Sequence, residues 1–269
     1  MRLLRSIWRL VCVFLMMAWL AVDLRLRPAR DTVDGATRMH RCCRRIVRVL
    51  GVRWTTTGEM PMSGAVVSNH LSYLDILLFS AARPFVMVAK SEVATWPLIG
   101  WLTKQAGTVY VVRGGGPSTY PAVNRAMAEA FRSGLPVLFF PEGTTTDGAG
   151  VLPFRRGLMH SVLREDAALY TAALRYTDER ACWWGDATLL PHLIQMAGRN
   201  DLRAEIRFGD AAAERRDRFE LAASARESVA ALYRGLSAQH TELAHPLEHL
   251  LDRPVEGVGT FDGHGCVLR

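Results

Sequence analysis

The chain has 269 residues, 49% of them apolar, and a formal net charge of +7. That apolar content excludes a disordered chain and supplies a sizeable core, and the length suits one α/β domain or two small ones. Residues 1–53 hold twelve arginines against three aspartates, so the remainder sums to −2, the reverse of a nucleic-acid binder that carries its cations on the folded domain.

A basic N-terminal segment interleaved with apolar residues suits an anionic membrane surface. Leu10 to Val22 is an unbroken apolar run of thirteen residues. It falls short of the roughly 18 needed to cross a bilayer. Arginines stand on both flanks (Arg2, Arg5, Arg9; Arg25, Arg27, Arg30), which leaves little asymmetry to orient a span. A helix confined to one leaflet fits best, with a tilted span open if the arginines snorkel. A cleaved signal peptide is the rival reading, and no small-x-small cleavage site supports it. Next, Met39, Cys42, Cys43, Ile46, Val47 and Leu50 recur at helical spacing, with Arg38, Arg41, Arg44, Arg45 and Arg48 on the other side. That pattern predicts an amphipathic helix lying on the membrane through its apolar face.

From about Thr55 short β-type runs alternate with helical stretches. Strands are expected at Ala65 to Ser68, Phe85 to Ala89, Thr108 to Val112, Val137 to Phe140, Leu169 to Arg175 and Ala204 to Phe208. Helices are expected near Tyr73 to Ala82, Tyr120 to Ser133 (Ser118 capping its start, Gly134 ending it), Gly157 to Leu163 and Leu189 to Ala197. A charged helical stretch follows from Ala211 to about Ser237. The fold class is α/β: a mixed, largely parallel sheet flanked by helices, with an N-terminal membrane-associated helical segment. The division is residues 1–54 for that segment, 55–240 for the α/β domain and 241–269 for a tail.

Three segments carry chemistry. In Asn69-His70-Leu71-Ser72-Tyr73-Leu74-Asp75, the histidine follows a strand and the aspartate lies early in the next helix. Five residues apart on one helix, the two would point about 140° apart. They meet only if His70 precedes the helix. A carboxylate on one imidazole nitrogen then fixes the tautomer and strengthens the other nitrogen as a base. The plain reading is a helix cap, since Ser72-x-x-Asp75 is also a capping box. Gly107-Thr108-Val109-Tyr110-Val111-Val112-Arg113 is a strand ending in a cation suited to a phosphate or carboxylate. In Phe140-Pro141-Glu142-Gly143-Thr144-Thr145, proline ends a buried strand and glycine allows a tight turn, with Glu142 at the ligand side of an open α/β sheet.

In this order and spacing the three segments resemble the first three blocks of the glycerolipid acyltransferase family, which includes the 1-acylglycerol-3-phosphate acyltransferases. The resemblance covers residues 60–210 and extends to Lys90, to Pro97 with Gly100, and to Phe154-Arg155-Arg156-Gly157. It implies His70 and Asp75 as a catalytic dyad, with Arg113, Glu142, Gly143, Thr144, Thr145 and Lys90 around the acceptor. It implies transfer of an acyl group from acyl-CoA or acyl carrier protein to a lysolipid hydroxyl at the cytoplasmic face of the inner membrane. Membrane lipids are the implied partners, with no nucleic acid, no metal and no cofactor besides the thioester co-substrate. The backbone near the His70 turn is the expected oxyanion donor.

Two positions depart from the family pattern. Thr145 stands where phosphatidic-acid-forming members carry an arginine, and Tyr170 to Leu174 lacks the usual proline. 1-Acylglycerol-3-phosphate is the first acceptor implied. A lyso-ornithine lipid or another lysophospholipid is the alternative, because Phe140 to Asp147 with Trp184-Gly185-Asp186 is similar to the bacterial lyso-ornithine-lipid branch. A thioesterase or phospholipase, with water as acceptor, is the rival of another class. Neither G-x-S-x-G nor a cysteine lies at the blocks to act as a covalent nucleophile. The five cysteines include adjacent Cys42 and Cys43 and no C-x-x-C, so they form neither a disulfide framework nor a zinc pattern and suit a reducing compartment. His245 and His249 share helical spacing but lack a third metal ligand.

Overall fold

The computed structural model describes residues 1–112, 114, 117–211 and 217–243. Arg113, His245 and His249 lie outside them. Seven strands form one sheet: β1 (Arg53–Thr57), β2 (Ala65–Ser68), β3 (Val86–Lys90), β4 (Val109–Val111), β5 (Val137–Phe139), β6 (Leu169–Tyr176) and β7 (Arg203–Ala211). Their order is β1-β7-β6-β2-β5-β3-β4, and every neighbouring pair is parallel except β6 with β7. All four residues of β2 are buried, as befits a strand covered on both faces.

The helices are α1 (Arg2–Leu26), α2 (Thr32–Leu50), α3 (Tyr73–Ala82), α4 (Ile99–Gln105), α5 (Tyr120–Arg132), α6 (Gly157–Arg164), α7 (Leu189–Ala197) and α8 (Arg218–Leu243). The chain moves outward from β2 through β3 to β4, then returns through β5 to β6. Right-handed crossovers therefore put α3 and α4 on one face and α5 and α6 on the other. Packing agrees: α1 lies on α2, α4 and α7, and α2 on α3 and α4, while α8 covers β6 and β7 beside α6. The reversal of direction falls between β2 and β5, which opens a crevice at their carboxyl ends.

The second helix corrects an expectation. The apolar face of α2 is not open to a bilayer: Cys42, Cys43, Ile46, Val47 and Leu50 are buried in the protein core. Gly35 allows the close approach to α4, since a Cβ there would fall 1.9 Å from the Gln105 carbonyl oxygen. Arg41, Arg44, Arg45 and Arg48 remain exposed on the outer side. Amphipathic spacing reports that a helix has a buried side, not what buries it.

In α1 the thirteen-residue run sits inside a helix of 25 residues, long and apolar enough by length and composition to cross a membrane. Only Ser6, Leu20 and Leu24 are buried, and Leu4, Ile7, Trp8, Val11, Phe14, Leu15, Trp19 and Val22 are exposed. Arg9 does not snorkel outward. It donates to the Ala197 carbonyl at 3.0 Å and to Asn200 Oδ1 at 2.7 Å, at the end of α7. Near the other end of α1, Asp23 pairs with Arg38 of α2 at 3.2 Å.

Smaller differences concern boundaries. Strand β1 was not expected, and it spans the division placed at residue 54. Helix α8 runs through the division placed at 240. Ser118 is not a cap but lies in a 3₁₀ turn, Pro117–Thr119, that leads into α5.

Candidate active site

The corner between β2 and α3 assembles the first pair. His70 lies just past β2, and Asp75 occupies the third position of α3. His70 Nδ1 and Asp75 Oδ2 are 2.8 Å apart, with Asp75 fully buried and the imidazole 14% exposed. A carboxylate only accepts, so Nδ1 carries the proton and the Nε2 lone pair is free. The imidazole stacks on Phe140, ring centroids 4.1 Å apart and planes within 10°. That contact fixes the ring plane, and Asp75 fixes its rotation.

Asp75 is saturated with donors. Oδ2 also accepts from the Leu71 N–H at 2.7 Å and the Ser72 N–H at 2.9 Å, and Oδ1 accepts from the Tyr176 hydroxyl at 2.6 Å. Capping the helix and holding the histidine are therefore one arrangement, not alternatives. Burial and the facing Asp75 carboxylate raise the Tyr176 phenol far above its ordinary value, so it stays a proton donor. Tyr176 ends β6, 101 residues from Asp75.

Glu142 follows β5, and its position differs from an acceptor contact. It is buried; Oε2 accepts from the His70 N–H at 3.1 Å and Oε1 from the Leu152 N–H at 3.0 Å. It braces the backbone of His70 against the 152 loop. Burial pushes its carboxyl up to about 7, with the nearby Asp75 charge adding to the rise and the two N–H bonds and Arg226 opposing it. The His70 carbonyl in turn accepts from the Thr146 N–H at 3.0 Å.

The N–H groups of His70, Leu71 and Ser72 are all committed to Glu142 and Asp75. Those three N–H groups are therefore not open to an oxyanion. Gly143 has φ +73°, and its N–H is bonded to the Phe140 carbonyl. A Cβ at Gly143 would stand 2.5 Å from Arg155 Nε, so the glycine gives the arginine side chain room against the turn. Thr144 is exposed and Thr145 half-buried beside it. Lys90 ends β3 opposite Val111, at the same edge of the sheet but beyond β5 from His70.

Three contributors escaped the sequence. Tyr176 has no local signal. Asn69 bonds both polar groups of its amide to the Leu174 backbone, each at 2.9 Å, and so extends the β2–β6 pairing to the foot of His70. Arg155 was matched by position but given no part, although it supplies a cation beside the turn where Thr145 replaces an arginine. Cys42, Cys43 and Cys182 are buried, and burial raises their thiols to about 11, 12 and 12, the opposite of an activated nucleophile. Trp96 and Trp184 are exposed, and Trp183 donates to the Ala187 carbonyl.

A family model described as Acyltransferase matches residues 36–175, more than half of the chain. The lyso-ornithine lipid O-acyltransferase of Pseudomonas aeruginosa is 37% identical over 183 residues, covering 65% of this chain and 70% of that protein. The 1-acyl-sn-glycerol-3-phosphate acyltransferase of Neisseria gonorrhoeae is 35% identical over 182 residues, covering 65% and 71%. The crystal structure of the 1-acyl-sn-glycerophosphate acyltransferase PlsC from Thermotoga maritima superposes with a TM-score of 0.56 at 18% identity, over 91% of this chain and 99% of that one, a likeness of fold. Family match and identity together make the chain a member of the acyltransferase family, and an enzyme of that class.

Proposed function

We propose that the enzyme transfers an acyl group from a thioester to the hydroxyl of a lysolipid, with His70 as the base. The observation that carries this reading is the imidazole held on one nitrogen by a buried, saturated Asp75 and free on the other. Nε2 takes the hydroxyl proton as the oxygen attacks the thioester carbonyl. The imidazolium next to Asp75 then returns the proton to the departing thiol. With the N–H groups of residues 70–72 committed, the negative charge on the carbonyl oxygen falls to the Gly143–Thr145 side, where Arg155 supplies a cation. The donor is acyl-CoA or acyl carrier protein.

The acceptor arrives from a membrane. Because α1 is docked along its length, with Ser6, Leu20 and Leu24 buried and Arg9 and Asp23 tied down, it carries the domain against one leaflet with its apolar stripe inserted. The catalytic crevice then faces the cytoplasmic leaflet. The first acceptor is 1-acylglycerol-3-phosphate. A lyso-ornithine lipid is the second reading, favoured by Thr145 in place of the arginine and by likeness to relatives that bear that name.

The test is a screen of labelled acyl donors against lysolipid acceptors, with free fatty acid and diacyl product counted separately. His70→Ala is expected to lower kcat by roughly two to four decades with the fold intact. Free fatty acid as the main product in the presence of lysolipid would establish a hydrolase instead.

A further inference from the structure

An open groove of about 720 Å³ lies where α5, α6 and α8 begin. Its walls include Arg155, Arg156, Arg218 and Arg226 with the rings of Tyr120 and Phe219. No acidic side chain is among the described residues that line it. Resting on the acyl-transfer reading above, we propose that this groove binds the phosphorylated nucleotide end of a coenzyme A thioester.

Two of the four cations are held by a ring. Arg156 lies 4.4 Å and Arg218 5.3 Å from the centroid of Phe219, a contact that leaves guanidinium N–H groups for an anion. Arg226 is fixed from behind, donating through Nη2 to the Val151 carbonyl at 2.8 Å. Four like charges sharing one concavity repel one another, and a polyanion relieves that repulsion. The first residues of three helices, Tyr120, Gly157 and Arg218, face the same space, so three positive dipole ends add to the field. The volume falls in the range of small-molecule sites, and Tyr120 is an exposed residue whose ring offers a flat surface for a base.

The groove also leads to the chemistry. Its wall at 153–157 directly follows Leu152, whose N–H holds Glu142, and Glu142 holds His70. Arg155 reaches from the groove onto Gly143. A thioester arm anchored by its nucleotide would cross that turn toward the imidazole. An acidic carrier protein has no base to place and presents a convex surface, which suits a concavity with exposed rings less well. A bilayer is met by α1, in the opposite layer of the sheet.

The experiment uses the full chain in detergent. Calorimetry with 3′,5′-ADP and with coenzyme A reads binding without turnover. Steady-state kinetics at saturating lysolipid compares acyl-CoA with acyl carrier protein as donor. Expected are binding of 3′,5′-ADP, its competition with acyl-CoA, and a rise of about tenfold or more in both the nucleotide Kd and the acyl-CoA KM in Arg156→Ala with Arg218→Ala, lysolipid KM and kcat unchanged. Arg164→Ala, at the far end of α6, controls for lost charge. Three results overturn the proposal: no nucleotide binding by the unaltered enzyme, a rise in lysolipid KM in place of donor KM, or a selective rise in carrier-protein KM. Failure of the acyl-transfer reading would show separately, as absence of diacyl product from the unaltered enzyme.

Discussion

At the carboxyl ends of β2 and β5, Asp75 and Glu142 are buried, and each of their oxygens accepts a hydrogen bond. Along α1, Trp8, Phe14, Leu15 and Trp19 stand exposed on a helix whose other side is docked. A soluble domain normally does neither, since buried charge costs desolvation and exposed rings cost hydration. The crevice offsets its cost with donors supplied by the backbone and Tyr176. The exposed stripe of α1 has no such compensation among the described residues, and in the proposed reading a lipid phase supplies it. One region is closed upon itself and the other is incomplete alone.

That contrast breaks most sharply at α1. Phe14→Glu with Trp19→Glu removes two rings from the outer stripe, each worth about 1.5–3 kcal/mol on burial. Partition onto anionic vesicles, read by sedimentation, is expected to fall at least about a hundredfold. The melting temperature in detergent should not change, because neither side chain packs in the core. Undiminished vesicle binding would move the membrane contact elsewhere.

The crevice is tested through Glu142. Its carboxyl, raised by burial to about 7, holds its proton more tightly in the folded protein than in the unfolded chain. The resulting stability is fully present below about pH 4.5 and is lost as pH rises through 7, up to about 3 kcal/mol in all. Half-buried His40 and buried His192, both lowered by desolvation, act in the opposite sense, losing stability as pH falls. The difference between the unaltered protein and Glu142→Gln, by urea denaturation from pH 5 to 8, isolates the glutamate. The unaltered protein should lose stability relative to the variant across that window; a constant difference would show that Glu142 does not change its proton affinity on folding.

What the sequence disclosed depended on distance along the chain. His70 and Asp75 were legible because a strand-to-helix corner joins them within five residues. Strands β2, β5 and most of β6 were legible as apolar runs covered on both faces, and β7 through the alternation of its buried side with an outer one. Strand β1 was not, because Arg53-Trp54-Thr55-Thr56-Thr57 is a half-exposed edge with no apolar run. Helix α4 has seven residues, too few to show a period, and enters from Leu98 at φ 60°. Helix α2 announced its buried side correctly and its partner wrongly, because a bilayer and a neighbouring helix select the same residues.

Tyr176 is the residue that no local pattern could reveal, and it makes the finest test of the closed region. Its hydroxyl reaches Asp75 Oδ1 only because β6 pairs with β2 in a register that places Ala172 opposite Ser68 and carries the strand on to residue 176. Tyr176→Phe leaves the ring and removes one donor from a fully buried carboxylate. The acceptor left bare costs about 1–3 kcal/mol of stability. Freed on that side, Asp75 holds the imidazole less firmly, and kcat is expected to fall about tenfold while the KM for the lysolipid stays within twofold. A merely structural tyrosine would lower the melting temperature and leave kcat at low temperature unchanged. The split between kcat and stability, measured at 15 °C and by thermal denaturation, therefore decides whether the far end of β6 belongs to the catalytic apparatus or only to the core.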